Sequence, residues 1–235
     1  MIEIPNTMFD SDEINDKISK IKLTQNQIDA ANEWKSRLDS GRIKVESQHE
    51  KEFADWILIK LLGYPDVGEG LEQKLKYMDY CVPPVYPNKG IVIELKSKGK
   101  DLFKEQLAYK DRPGKHTPVE QTIFYMRENP DYDYGICTNY EEFILFKMGT
   151  FHQCYRFKFP KKGEKLTEEK IKEFVAIFSK KIIDDGGVED LIEKTIEKQK
   201  TITDDFYQLY HETRQMLIFD FESNADVKMT KHDAI

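Results

Sequence analysis

Gly90-Ile91-Val92-Ile93-Glu94-Leu95-Lys96 is a nearly continuous apolar run that closes on an acid, one residue and a lysine. Such a run reads as a strand buried on both faces, at the centre of a sheet. A strand alternates its side chains, so Glu94 and Lys96 share one face while Leu95 turns into the core. An E-x-K alone is an ordinary surface pair. Closing a run this apolar it is less ordinary, because burying charge is costly unless the charge is paired or metal-bound.

Working outward, LKYMDYCV (75–82) alternates as a strand does and carries Asp79, and PPVYPNKG (83–90) reads as the turn into the central strand. Asp79 and Glu94 on neighbouring strands could hold one hard cation such as Mg²⁺, with Mn²⁺ as a substitute, and the Leu95 backbone carbonyl offers a further oxygen. Lys96 then stands where it could orient or deprotonate an attacking water, or stabilise a pentacovalent phosphate; the sequence leaves these roles open. Between Lys89 and Lys115 basic residues outnumber acids. Alone this reads as a solvated loop. Beside an acidic pair it points to a phosphodiester, with Lys98, Lys100, Lys110, Arg112 and Lys115 toward the phosphates.

Thr24-x-x-Gln27 is a capping box that opens a helix ending at Gly41, and Ser47-x-x-Glu50 is a second, opening HEKEFADWILIKLLGY (49–64) as one helix stopped by Gly63. Thr117-Pro118-Val119-Glu120 combines an N-cap, a proline at the first helical position and a glutamate at the third, so a helix runs to about Glu128. On it Gln121 and Tyr125 lie four apart on one face. Gln121 reads either as a surface residue or as a hydrogen-bonding group near the metal or a phosphate, and Tyr125 either as packing or as a DNA-binding residue. YGICT (134–138), EFILFK (142–147) and FHQCYRFKF (151–159) read as strands. Beyond Pro160-Lys161-Lys162-Gly163 the chain reads as all helix, over 167–181, 188–200 and 203–222. The last of these has aromatics on more than one side and calls for a partner surface. The expected domains are therefore 1–162 and a helical connector, 163–235.

The composition allows one large domain or a domain with an appendage. A net charge of −7 argues mildly against nucleic-acid binding by the chain as a whole. Cys81, Cys137 and Cys154 are odd in number with no CxxC, which favours reduced thiols and no zinc site. The N-terminus is acidic and polar, unlike a secretory or transit peptide, and no apolar run approaches a bilayer span. There is no GxGxxG, no P-loop and no HExxH. VPPVY (82–86) lacks the leading Asn or Asp of a methyltransferase motif.

The order of helix, acidic strand, E-x-K strand and Q-x-x-x-Y helix resembles the PD-(D/E)xK nuclease superfamily, in its RecB-like branch. EFADWILIKLLGY (52–64), IVIELKSKGKDL (91–102), TPVEQTIFYM (117–126) and YGICTNYEEFILFK (134–147) resemble the N-terminal cleavage domain of type IIG restriction enzymes, which fuse endonuclease and adenine methyltransferase. The resemblance covers roughly residues 30–160, and more weakly the connector at 165–222. It implies an α/β (α+β) restriction-endonuclease-like core with a mixed sheet flanked by helices, and a type II site-specific deoxyribonuclease activity on double-stranded DNA. Its metal-binding acids fall on Asp79 and Glu94, its catalytic lysine on Lys96, its upstream helix glutamate on Glu52, and its downstream pair on Gln121 and Tyr125. Met78 stands where the first motif often has proline. Nothing resembles the methyltransferase or target-recognition domains, so S-adenosylmethionine is expected only of a longer protein of which this chain is the front part. Cutting both strands implies a transient dimer or sequential nicking, and the setting implied is a prokaryotic cytoplasm. The rivals that share these motifs are the nuclease domain of a type I restriction subunit, a RecB-like repair nuclease, and a nuclease-fold module that binds without cutting.

Overall fold

The computed structural model describes residues 8–43, 46–74, 78–86, 88–106 and 116–224. The chain divides into two units, one ending at Ile192 and one beginning at Glu193. The first is built on a six-stranded mixed sheet whose strand order equals the sequence order: β1 (Glu72–Gln73), β2 (Tyr80–Val82), β3 (Gly90–Leu95), β4 (Tyr132–Thr138), β5 (Glu142–Lys147) and β6 (Tyr155–Lys158). All neighbours are antiparallel except β3 and β4, which run parallel. A parallel pair needs a crossover, and helix α4 (Pro118–Glu128) supplies it. Its capping box forms as the sequence predicts: the Thr117 hydroxyl accepts from the Glu120 N–H, and Glu120 accepts from the Thr117 N–H.

Every residue of β3 is buried. Ile91, Ile93 and Leu95 join one core with Trp34, Phe53, Ile57 and Leu61; Val92 joins the other with Cys81, Val119, Met126 and Cys137. On the first face lie α1 (Ser11–Lys20), α2 (Gln25–Asp39), α3 (Glu46–Phe53) and α5 (Glu168–Phe178). On the second lies α4. Gly135 in β4 lets α4 come close: a Cβ there would stand 2.4 Å from the Met126 sulfur and 3.0 Å from Thr122 Cγ2.

Three helical elements differ from the sequence expectation. The helix expected to open at Ser47 already includes Glu46, and from Ala54 to Leu61 it widens into a π-helix. Its end shows the wide spacing, with the Leu62 N–H donating to the Ile57 carbonyl. π segments are rare and commonly found at functional sites. The connector expected from residue 163 supplies core: Phe174 and Phe178 of α5 pack on Phe143 and Phe157 of the sheet, with ring centroids 4.6–6.4 Å apart. Burial of each ring contributes about 1.5–3 kcal/mol, enough to make α5 part of the sheet domain. After the short α6 (Lys180–Asp184), the two expected final helices are one, α7 (Gly187–Asn224). Residues 201–202, which fall between the expected helices, stay helical: Thr201 donates its hydroxyl to the Glu197 carbonyl, as Thr203 does to the Gln199 carbonyl. Within the second unit, Ile202, Phe206, Leu209, Met216 and Leu217 are exposed. No helix among the described residues is long and apolar enough to cross a membrane.

Trp34 ties the early helices to the sheet. It is fully buried, donates Nε1–H to the Tyr140 carbonyl at 3.1 Å and packs against Phe53 and Tyr140. Tyr140 sits in the β4–β5 turn at φ +74, where a non-glycine residue costs about 1–2 kcal/mol; its ring burial offsets that. Trp34→Ala is expected to destabilise the protein by about 3–5 kcal/mol in urea unfolding. A loss below about 1 kcal/mol would mean that the indole is not the tie between α2 and the sheet.

Candidate active site

Antiparallel pairing puts the start of β2 beside the end of β3. Tyr80 pairs with Ile93, so the register carried one step further sets Asp79 opposite Glu94. Asp79 lies just before β2, not at the end of a longer strand. Its Oδ2 accepts from the Leu95 N–H at 2.8 Å, in the middle of the E-x-K. Leu95 itself points into the core, as alternation requires.

Glu94 and Lys96 are almost fully buried, and the Lys96 ammonium is paired with Glu94 Oε1. Removing two charges from water costs several kcal/mol each, which close pairing only partly offsets. Cys137 stands beside Glu94 on β4, and burial pushes its thiol up to about 12. Burial also raises Asp79 above the usual carboxylate range. The Leu95 N–H and the positive charges of Lys96 and Lys74 oppose that rise, and the negative charge of Glu50 adds to it.

The helix glutamate that joins this group is Glu50. Gln73 Nε2 donates to its Oε2 at 2.9 Å, and the Lys74 ammonium reaches its Oε1 at 2.8 Å and Asp79 Oδ1 at 3.7 Å. The Tyr80 hydroxyl donates to the Glu50 backbone carbonyl at 3.0 Å, fixing that turn of α3 on β2. Glu52, expected near the metal, binds Arg37 at 2.8 Å and lies 3.5 Å from His49. Partial burial pushes its carboxyl up, but Arg37, helped by His49, holds it below the usual range. In the sequence Glu50 reads as the closing residue of a capping box, which gives no sign of its place at the sheet. Its placement one turn before the buried Phe53 and Ala54 was the available signal.

The other expected site residues divide. Gln121 donates to the Tyr125 hydroxyl at 2.7 Å, so the pair shares one face of α4, with Tyr125 packed in the second core. Lys98, expected to face phosphate, donates to the Leu38 carbonyl at 2.6 Å at the end of α2 and pairs with Glu141 at 3.2 Å. Lys100 is exposed. Lys110, Arg112 and Lys115 lie outside the described residues. A cavity of about 340 Å³ adjoins the site, lined by Lys51, Asp55, Asp66, Gln73 and Tyr80 among others; its acids make it a poor phosphate seat.

Among the described residues no three His, Cys, Asp or Glu side chains converge closely enough to hold a metal ion. Glu50 and Asp79 converge instead on the Lys74 ammonium, and Glu94 on Lys96. The donors are all anionic oxygens, which suit a hard divalent cation, and the ammonium between two carboxylates marks a place where positive charge is already held.

Asp79→Asn keeps an oxygen acceptor for the Leu95 N–H and removes the desolvated charge. The folded-state pKa of Asp79 lies above its unfolded value. Stability is therefore lost as pH rises from the unfolded to the folded value, the loss is complete above the folded value, and it vanishes where both states are protonated. With EDTA present, Asp79→Asn is expected to melt higher than wild type at about pH 8 and alike near about pH 3. A lower melting temperature at about pH 8 would show that the charge is a net stabiliser.

No protein-family model matches the chain, and no curated protein or solved structure matches it either.

Proposed function

We propose that this chain is a Mg²⁺-dependent DNA endonuclease module, hydrolysing phosphodiesters with a PD-(D/E)xK-type core. The observation that carries the reading is the bond from the Leu95 N–H to the Asp79 carboxylate, which sets the first acid against the E-x-K pair. The order of helix, antiparallel strands ending in β3, crossover helix and parallel strand agrees with the order of motifs that carries the resemblance.

Magnesium, when bound, supplies neutralisation of phosphate charge and a more acidic water. Asp79 and Glu94, with Glu50 and the Leu95 carbonyl, supply the oxygens that hold it. Lys96, held on the same face as Glu94, turns its ammonium toward the scissile phosphate or the attacking water. Gln121 and Tyr125 hydrogen-bond on the α4 side. The substrate is double-stranded DNA, with Lys100 and the basic stretch after β3 toward its backbone. Base-specific readout belongs to methyltransferase and target-recognition domains of a longer type IIG restriction-modification chain, in a prokaryotic cytoplasm. A transient dimer would cut both strands.

The Glu94–Lys96 ion pair and the lack of a three-acid cluster among the described residues favour a second reading, a nuclease-fold module that binds without cutting. Manganese-dependent nicking of supercoiled plasmid separates the two. On the cleavage reading wild type nicks, while Asp79→Ala, Glu94→Ala and Lys96→Ala do not. Glu50→Gln loses about 10–100-fold, and Glu52→Gln keeps wild-type activity. Equal losses in the two glutamine variants would return the metal role to Glu52. Bound Mn²⁺ without nicking would select the second reading.

A further inference from the structure

We infer that Lys74 is the resident counter-cation of this site, and that a divalent ion enters by displacing its ammonium from Glu50 and Asp79. The inference rests on the metal-site reading above and adds to it the residue that sets access.

Three features support it. The Lys74 ammonium lies 2.8 Å from Glu50 Oε1 and 3.7 Å from Asp79 Oδ1. A divalent ion drawing on both carboxylates needs that space, at oxygen distances of about 2.0–2.6 Å. Gln73 holds the other Glu50 oxygen, so Oε1 is the one left facing Lys74. Lys96, whose positive charge also reaches Asp79, pairs closely with Glu94. Displacing Lys74 therefore leaves Glu50 and Asp79 as like charges in a partly buried place, which favours a cation.

The backbone and the side chain of Lys74 are held separately. Its N–H donates to the Asp79 carbonyl at 3.0 Å, and its φ is +56, in the left-handed region. A lysine there costs about 1–2 kcal/mol that glycine would not. The side chain is 58% exposed, so the flexible stem can swing into water with little packing lost. The loop stays in place and the charge leaves.

The test is Mn²⁺ binding to the 235-residue chain, followed by calorimetry and by the loss of free-ion EPR signal, with no DNA present. Lys74→Gly removes the ammonium and relieves the left-handed backbone, which offsets the repulsion left between Glu50 and Asp79, and a cooperative melt in EDTA checks that it folds. It is expected to bind Mn²⁺ about ten-fold tighter or more, with the gain shrinking as KCl is raised. Lys74→Met should behave alike, Lys74→Arg should keep the weak wild-type affinity, and Asp79→Ala should lose binding. Equal or weaker binding by Lys74→Gly and Lys74→Met, with loss in Asp79→Ala, would overturn the role of Lys74 and leave the metal site standing. No difference between Asp79→Ala and any other protein would overturn the metal reading and this inference with it.

Discussion

A strand buried on both faces that ends in a carboxylate and an ammonium sets the terms for its neighbours. Glu94 and Lys96 have left water almost completely, so the structure must return the lost solvation with partners. Lys96 supplies part of it. The rest of the arrangement follows from the need to cap this end of β3: Asp79 takes the Leu95 N–H, Glu50 closes on Lys74, and Lys74 returns to Asp79. Carboxylates and ammonium ions thus alternate around the ends of two strands. Replacing a buried ion pair with apolar residues is often neutral or stabilising, so the charge kept at this end of the sheet is the feature on which the proposed reading rests.

The hydrophobic pattern made most of the elements legible. The apolar run predicts a central strand and β3 is one; Thr117-Pro118-Val119-Glu120 predicts a helix start and α4 begins there. Asp79, Glu94 and Lys96 are brought together because strand alternation and antiparallel pairing are short-range rules. What could not be read depends on how helices meet the sheet. Glu50 and Glu52 are two apart, and only the docking of α3 through Tyr80 decides which one faces Asp79. The π widening after Phe53 has no counterpart in the 3.6-residue period. Lys98 looked like a phosphate ligand because a loop lysine has no visible partner in sequence, yet the end of α2 lies within its reach. The resemblance points to Glu52, whereas the glutamate that shares Lys74 with Asp79 is Glu50.

Composition and packing divide the chain at different places. Lys161-Lys162-Gly163 looks like a linker, but the aromatic spacing of α5 answers the apolar face of β5 and β6. Sequence shows that such a helix needs a partner without showing that the partner lies behind it in the chain.

Strand order equal to sequence order has a consequence for how the protein is made. Each strand can add to the growing edge as it leaves the ribosome, and the charged ends of β2 and β3 are complete before β4 exists. The aromatic face of the sheet is the exception. Phe143 and Phe157 meet their cover only when Phe174 and Phe178 have been synthesised. Until then a nascent chain carries an uncovered apolar sheet, the kind of surface that recruits chaperones or aggregates. An expression clone cut at residue 162 would hold the chain permanently at that stage, with its acidic strand ends intact and its core open.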